Sequence, residues 1–264
     1  MNQDNLANTL TNNYGYVSII TYLSFCVLFF TVKFVYFPEN GGTWILLFLV
    51  ASFIIQLGCN IDMATNKNVC GKMDGGFAFY HTIIPWLFIF TIASLCLWAF
   101  PGWLRVFSNT FGSYAAYAYG LQGVLDEIFT QDSRNSAVNT AATDIQLLKT
   151  IDSVYSNPNT IINELDSTTM TTMTEKSGEA NTQKKIMVWE SLNRLIDTSI
   201  IKTPSQELVQ KLYNMSLLKD NVGYFVWYLL LGSLASMVSV NSILSSRCGS
   251  TKKSSYDIIF NTNT

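Results

Sequence analysis

Four stretches of this chain are long and apolar enough to cross a bilayer, and they constrain the fold more than anything else in it. Crossing about 30 Å of hydrocarbon at about 1.5 Å per residue takes about 20 mainly apolar residues, with every backbone group paired within the segment. The first stretch runs from Tyr14 to Phe37 and carries one charge, Lys33, near its end. The second, Thr43 to Ile61, opens on Trp44, and only residues 38–42 separate it from the first, so the two must form a tight antiparallel hairpin. The third, Phe77 to Phe100, holds Pro85, which removes a backbone donor and is expected to kink the helix. The fourth, Gly223 to Val240, contains Gly232, Ser233, Ala235, Ser236 and Ser239, small residues that let a helix approach its neighbours closely in lipid.

Polar chemistry is concentrated between the third and fourth stretches. Charged residues are 13% of the chain against about 25% in soluble proteins, and most lie in the middle. The chain therefore reads as all-α: a polytopic membrane protein with four transmembrane helices and a helical extramembrane domain between the third and fourth. The expected divisions are a polar tail 1–13, a three-helix membrane region 14–112, a helical domain 113–222, the fourth span 223–240 and a polar tail 241–264. The opening residues MNQDNLANTLTNN lack the basic region and small-residue cleavage site of a signal peptide, so the first span is expected to be retained.

Within the polar region several helices are predicted. Ile145, Leu148, Ile151 and Val154 or Tyr155 recur at helical spacing behind a Thr143 or Asp144 cap. Ile186, Trp189, Leu192 and Ile196 predict a helix over 184–196, and Thr203-Pro204-Ser205-Gln206 reads as a capping box opening a helix through Leu218. Residues 166–183 show no period and read as a connector. Tyr114, Tyr117, Gly120, Leu121, Val124, Leu125, Ile128 and Phe129 predict one further helix, which either lies along the membrane surface or packs in the loop domain.

Trp86, Trp98 and Trp103 stand where an interfacial belt would place them, with a deeper position open for Trp86, and the four-carbon stem of Lys33 lets its ammonium snorkel to the headgroups. Lys67, Lys72, Arg247, Lys252 and Lys253 flank the spans on the terminal side, against Lys33, Arg105 and Lys219 on the loop side, which leans towards cytosolic termini.

The search for reactive groups finds no catalytic, cofactor or metal set. His81 is the single histidine, which removes histidine-based zinc motifs and serine triads from consideration. Cys59 and Cys70 could form a disulfide in an oxidising compartment, with free thiols as the default reading. A net charge of -2 without a basic stripe argues against nucleic acid as a partner. Lys33 suggests transport only if it acts within the membrane, and no acidic partner stands in any span.

The segment from Phe100 to Tyr114, FPGWLRVFSNTFGSY, is the most distinctive. Pro101 and Gly102 stop the third helix, Trp103 anchors at the interface, and Phe107 is followed by Ser108, Asn109 and Thr110, which offer turn and cap bonds. Physically this reads as a fixed exit angle from the membrane. Together with TIIPWLFIF (82–90), FPGWLRVFSNTFG (100–112) resembles a membrane-protein family of nucleocytoplasmic large DNA viruses, in which a span ends in Pro-Gly-Trp and a Phe-Ser-Asn-Thr turn follows. Val106 and Ser113 stand where that pattern has proline and tyrosine. The resemblance implies a minor capsid component of a virion with an internal membrane, a structural, non-enzymatic protein whose loop 113–222 docks on capsid or other virion proteins. Such a location would turn the loop towards the cytosol during assembly, against the charge count. The lipid bilayer is the other expected partner, and self-association is compatible with the sequence. The alternative function is a small channel or transporter. Tetraspanins share the large loop between spans three and four, but theirs is built around cysteines, and this one has none.

Overall fold

The computed structural model describes residues 3–37, 41–66, 75–100, 102–141, 143–165, 167, 170–176, 183–197, 200–201 and 203–248. The chain divides into two compact units, Met1–Trp103 with Phe225–Thr264, and Leu104–Tyr224. Among the described residues the fold is all-α apart from one short pair of strands. The boundary falls at Leu104, so the turn at Ser108 to Gly112, assigned above to the membrane region, belongs to the loop unit.

The first unit is a helical bundle of α1 (Gln3–Tyr36), α2 (Gly41–Thr65), α3 (Gly75–Ala99) and the C-terminal part of a long last helix. Four helices among the described residues are long and apolar enough to cross a membrane, and the protein is an integral membrane protein. Along α1, Ser18, Tyr22, Cys26, Phe30 and Lys33 recur every three or four residues and are all buried, while Tyr16, Ile20, Leu28 and Val35 stand exposed. This is the pattern of a helix with one face on protein and the other on lipid. Lys33 therefore lies on the inward stripe. Phe48 of α2 is fully buried, with its ring 5.3 Å from that of Phe30 and 5.5 Å from that of Tyr228. Trp86 is buried as well, 6.0 Å from Tyr22 and 4.8 Å from Phe90, so it packs in the bundle and is not part of a belt. Pro85 sits inside α3 without ending it. The side chain of Trp98 lies outside the described residues.

The second unit begins with α4 (Gly102–Phe107), whose first two residues still belong to the bundle unit, and continues through a π-helical turn (Ser108–Gly112) into α5 (Ser113–Ala118). Gly120 has φ +103°, a left-handed conformation that glycine adopts without a Cβ penalty. It breaks the single helix expected over 114–129, and α6 (Leu121–Ile128) starts afresh and turns Leu121, Val124, Leu125 and Ile128 into the core. Then come α7 (Gln131–Thr140), α8 (Ile145–Ser156) and the single turn α9 (Ile161–Glu164). Asp144 caps α8 as expected, accepting from the backbone N–H of Gln146 at 2.9 Å and of Leu147 at 3.1 Å.

Two expectations fail in the next segment. Residues 170–189 form an antiparallel hairpin, β1 (Met170–Lys176) paired with β2 (Gln183–Trp189), with Met170 opposite Trp189 and Lys176 opposite Gln183. The supposed connector is thus partly strand, and the helix expected over 184–196 forms only as α10 (Glu190–Asp197). Thr171, Thr172 and Thr174 supply the β-branched residues that suit a strand. The last helix, α11 (Gln206–Ile243), is continuous where two helices were expected. Its cap is Ser205, whose Oγ accepts from the Leu208 N–H at 3.3 Å, so Thr203 and Pro204 lie before the helix. The core of this unit gathers Leu121, Leu125, Ile151, Ile162, Trp189 and Leu212, all 2% exposed or less.

Candidate functional site

Two polar constructions stand out, one in each unit. In the loop unit it is the exit turn. Ser108 is buried and lies against Gly223 of α11, where an added Cβ would collide with the serine side chain. Gly112 meets the backbone of Lys219 in the same way. Two small contacts one turn apart thus let the π turn sit directly on α11, and single π turns of this kind recur at functional sites.

Asn109 adds a polar fastening. Its Nδ2 donates to the Asn163 carbonyl at 3.3 Å, and its Oδ1 accepts from Lys219 Nζ at 3.2 Å. Ser113 donates to the Asn163 side chain at 2.7 Å. Lys219, only 2% exposed, places its other two protons on the carbonyls of Ile162 and Leu165, each at 2.8 Å. These carbonyls belong to α9 and the residue that follows it, where a cation satisfies orphaned acceptors and meets the negative end of the backbone dipoles. One residue further along, Asp220 accepts from the N–H and the hydroxyl of Ser167, and Tyr213 donates to the Ser167 carbonyl at 3.3 Å. Three side chains of α11 thereby hold segment 162–167, which in turn holds the exit turn.

The remaining residues of the motif are accounted for separately. Gly102 opens α4, Trp103 is half exposed and stacks on Phe100 at 5.8 Å, and Phe107 is half-buried. Thr110 is exposed and bonds back to the Val106 carbonyl at 2.6 Å, so it supports the turn rather than capping a helix. Pro101 lies outside the described residues, as does Cys70. Cys59 is a half-buried free thiol on α2.

No family model, curated protein or solved structure matches this chain.

In the bundle unit, a polar seam joins all four helices. Gln56 Nε2 donates to Ser18 Oγ at 2.7 Å, Ser18 and Ser236 hydroxyls lie 3.0 Å apart, and Ser236 donates back to Gln56 Oε1 at 3.1 Å. Those three residues close a ring of hydrogen bonds. An arm leaves it through Asn60, which accepts from Gln56 at 3.3 Å and donates to Thr82 at 2.7 Å. All five side chains are buried. His81, one residue from Thr82, has Nδ1 2.6 Å from the Ser242 hydroxyl. The seam has no carboxylate or amine of its own, so its chemistry is that of interhelical fastening. Above it the rings of Tyr22, Phe48, Trp86, Phe90 and Tyr228 fill the bundle, between the seam and Lys33. Among the described residues, no group of His, Cys, Asp and Glu could hold a metal ion.

Sequence reading picked out the exit turn but missed its fastening to α11, and it missed the seam. Lys219 had been read only as a charge beside the membrane, whereas it is buried and bonded within the loop unit. The seam is spread thinly, one or two polar residues per span, and its clearest trace is the pair Gln56 and Asn60 within FIIQLGCNI.

Proposed function

We propose that this protein is a structural, non-enzymatic membrane component that ties a bilayer to a protein lattice through its helical unit, as a minor capsid protein does beneath the shell of a virion with an internal membrane. The observation that carries the reading is α11, which runs without a break from Gln206 to Ile243 and contributes residues to both the loop core and the bundle. One helix thus carries residues of both units, and within the loop unit the exit turn packs on its Lys219 and Gly223. Resemblance of residues 82–112 to a viral membrane-protein family supplies the viral setting. The partner is expected on residues 113–222, and crosslinking in intact particles tests this. Crosslinks from that region to shell subunits, retained after detergent removes the lipid, support the tether; free release with detergent and no crosslinks sinks it.

A small channel or transporter is the second reading, favoured by the polar seam and the buried Lys33. The packed rings of Phe48, Trp86 and Phe90 between them oppose it, because they fill the bundle with mainly apolar surface. Flux in proteoliposomes that Lys33→Ala abolishes would establish this reading, and the absence of flux would remove it.

A further inference from the structure

The loop unit keeps most of its apolar side chains inside, and the exceptions cluster. The large apolar side chains exposed among its described residues are Val106, Phe111, Tyr114, Tyr117, Tyr119 and Ile145, and all but Ile145 fall within residues 106–119. Tyr114 is 81% exposed. On the opposite side of the same run, Ser108, Gly112 and Ala116 are buried at four-residue spacing. The segment is therefore two-faced, with small residues against the unit and aromatic ones away from it. Arg105 is its single charged residue, and no other follows until Asp126.

Where this face lies along the chain identifies what covers it. The third span ends at Ala99 and α4 opens at Gly102, so Val106 follows the end of the span closely in the chain. At its other side the segment rests on Lys219 and Gly223, and the fourth apolar stretch begins at Gly223. The aromatic run is thus joined in the chain to the end of the third span and packed on the residue that opens the fourth apolar stretch. Tyrosine favours the boundary between water and hydrocarbon, with its ring in the acyl edge and its hydroxyl among the headgroups.

We propose that the Val106–Tyr119 face lies in the headgroup region of the bilayer as an interfacial helix, covered by lipid and not by a protein. With one arginine and no lysine, the face draws on aromatic burial and not on anionic lipid. The inference does not depend on the tether reading, since a transporter could carry the same helix. The test uses the full chain with its native cysteines replaced and Tyr114→Cys carrying an environment-sensitive fluorophore, in phosphatidylcholine vesicles. A matching label at Ile145→Cys is the control. A blue-shifted emission at 114, quenched several-fold more by shallow spin-labelled lipid than at 145 and unchanged when anionic lipid is added, is the expected result. Water-like, unquenched emission at 114 overturns the proposal, as does shielding that appears only at high protein-to-lipid ratio, which would mark a protein contact. On the native chain, hydroxyl-radical labelling of Tyr114, Tyr117 and Tyr119 gives an independent readout: labelling well below that of a free tyrosine peptide supports the proposal, and labelling as fast as that peptide counts against it.

Discussion

Replacing Lys219 with methionine keeps the length of the side chain and removes the ammonium. Three acceptors, Asn109 Oδ1 and the carbonyls of Ile162 and Leu165, then lose their donor in a site 2% exposed. Each buried acceptor left without a partner costs about 1–3 kcal/mol, and deleting one member of a buried charged arrangement typically costs about 3–5 kcal/mol. Relief from burying the ammonium offsets part of this, so about 3 kcal/mol is the expected net loss for Lys219→Met. The loss should be local, because the acceptors lie in the exit turn and in 162–165 while α7 and α8 have their own contacts. Amide exchange on the full chain in lipid discs reads it directly. Where closing outruns exchange, 3 kcal/mol is on the order of a hundredfold faster exchange, and the Leu165 N–H, bonded to the Ile161 carbonyl at 3.1 Å, is the reporter. Lys219→Arg should not restore protection, since a flat guanidinium does not match three converging acceptors. Exchange at 161–165 within twofold of the native chain, or an increase spread evenly over α7 and α8, would refute the reasoning.

Gln56→Leu breaks the hydrogen-bond ring with Ser18 and Ser236, and interhelical bonds in membranes are worth about 0.6 kcal/mol on average; with more than one bond lost, a destabilisation of about 1–2 kcal/mol in a detergent unfolding titration is expected. A stabilised variant would show that the ring costs more than it contributes. Burial raises the pKa of the Tyr155 hydroxyl, which lies 2.8 Å from Ser133 Oγ and 3.2 Å from the Ile200 carbonyl. Because the folded pKa is raised, this group's contribution to stability is full below the ordinary tyrosine value of about 10 and is lost as the pH rises from there through the folded-state pKa. Tyr155→Phe should flatten that alkaline loss in a pH series of loop-unit stability, and an unchanged slope would assign it to other groups.

The spans were legible because lipid leaves little choice: a run of about 20 apolar residues has one stable form there. The cap of α8 at Asp144 was legible for a local reason, since the bonds it makes reach only two and three residues ahead. What stayed hidden depended on distant partners. Ile186, Trp189, Leu192 and Ile196 match a helical period, yet Ile186 and Trp189 lie in a strand whose partners are Met173 and Met170. Gly223 reads as a place to divide two helices, whereas it is the point at which α11 accepts the exit turn. The exit motif itself was found as a sequence, but its use of Asn109 to reach Lys219 spans 110 positions and leaves no periodic trace.

The hydrogen-bond ring also has a history in time. Ser18 and Gln56 are synthesised with the first two spans, but Ser236 arrives only after the whole of Leu104–Tyr224 has been made. At about 5–20 residues per second, that interval is on the order of ten seconds. Throughout it a three-span intermediate holds a glutamine whose carbonyl oxygen awaits its last donor. The fourth span therefore brings the hydroxyl that closes the ring, so the last helix made is the one that completes the polar fastening of the bundle.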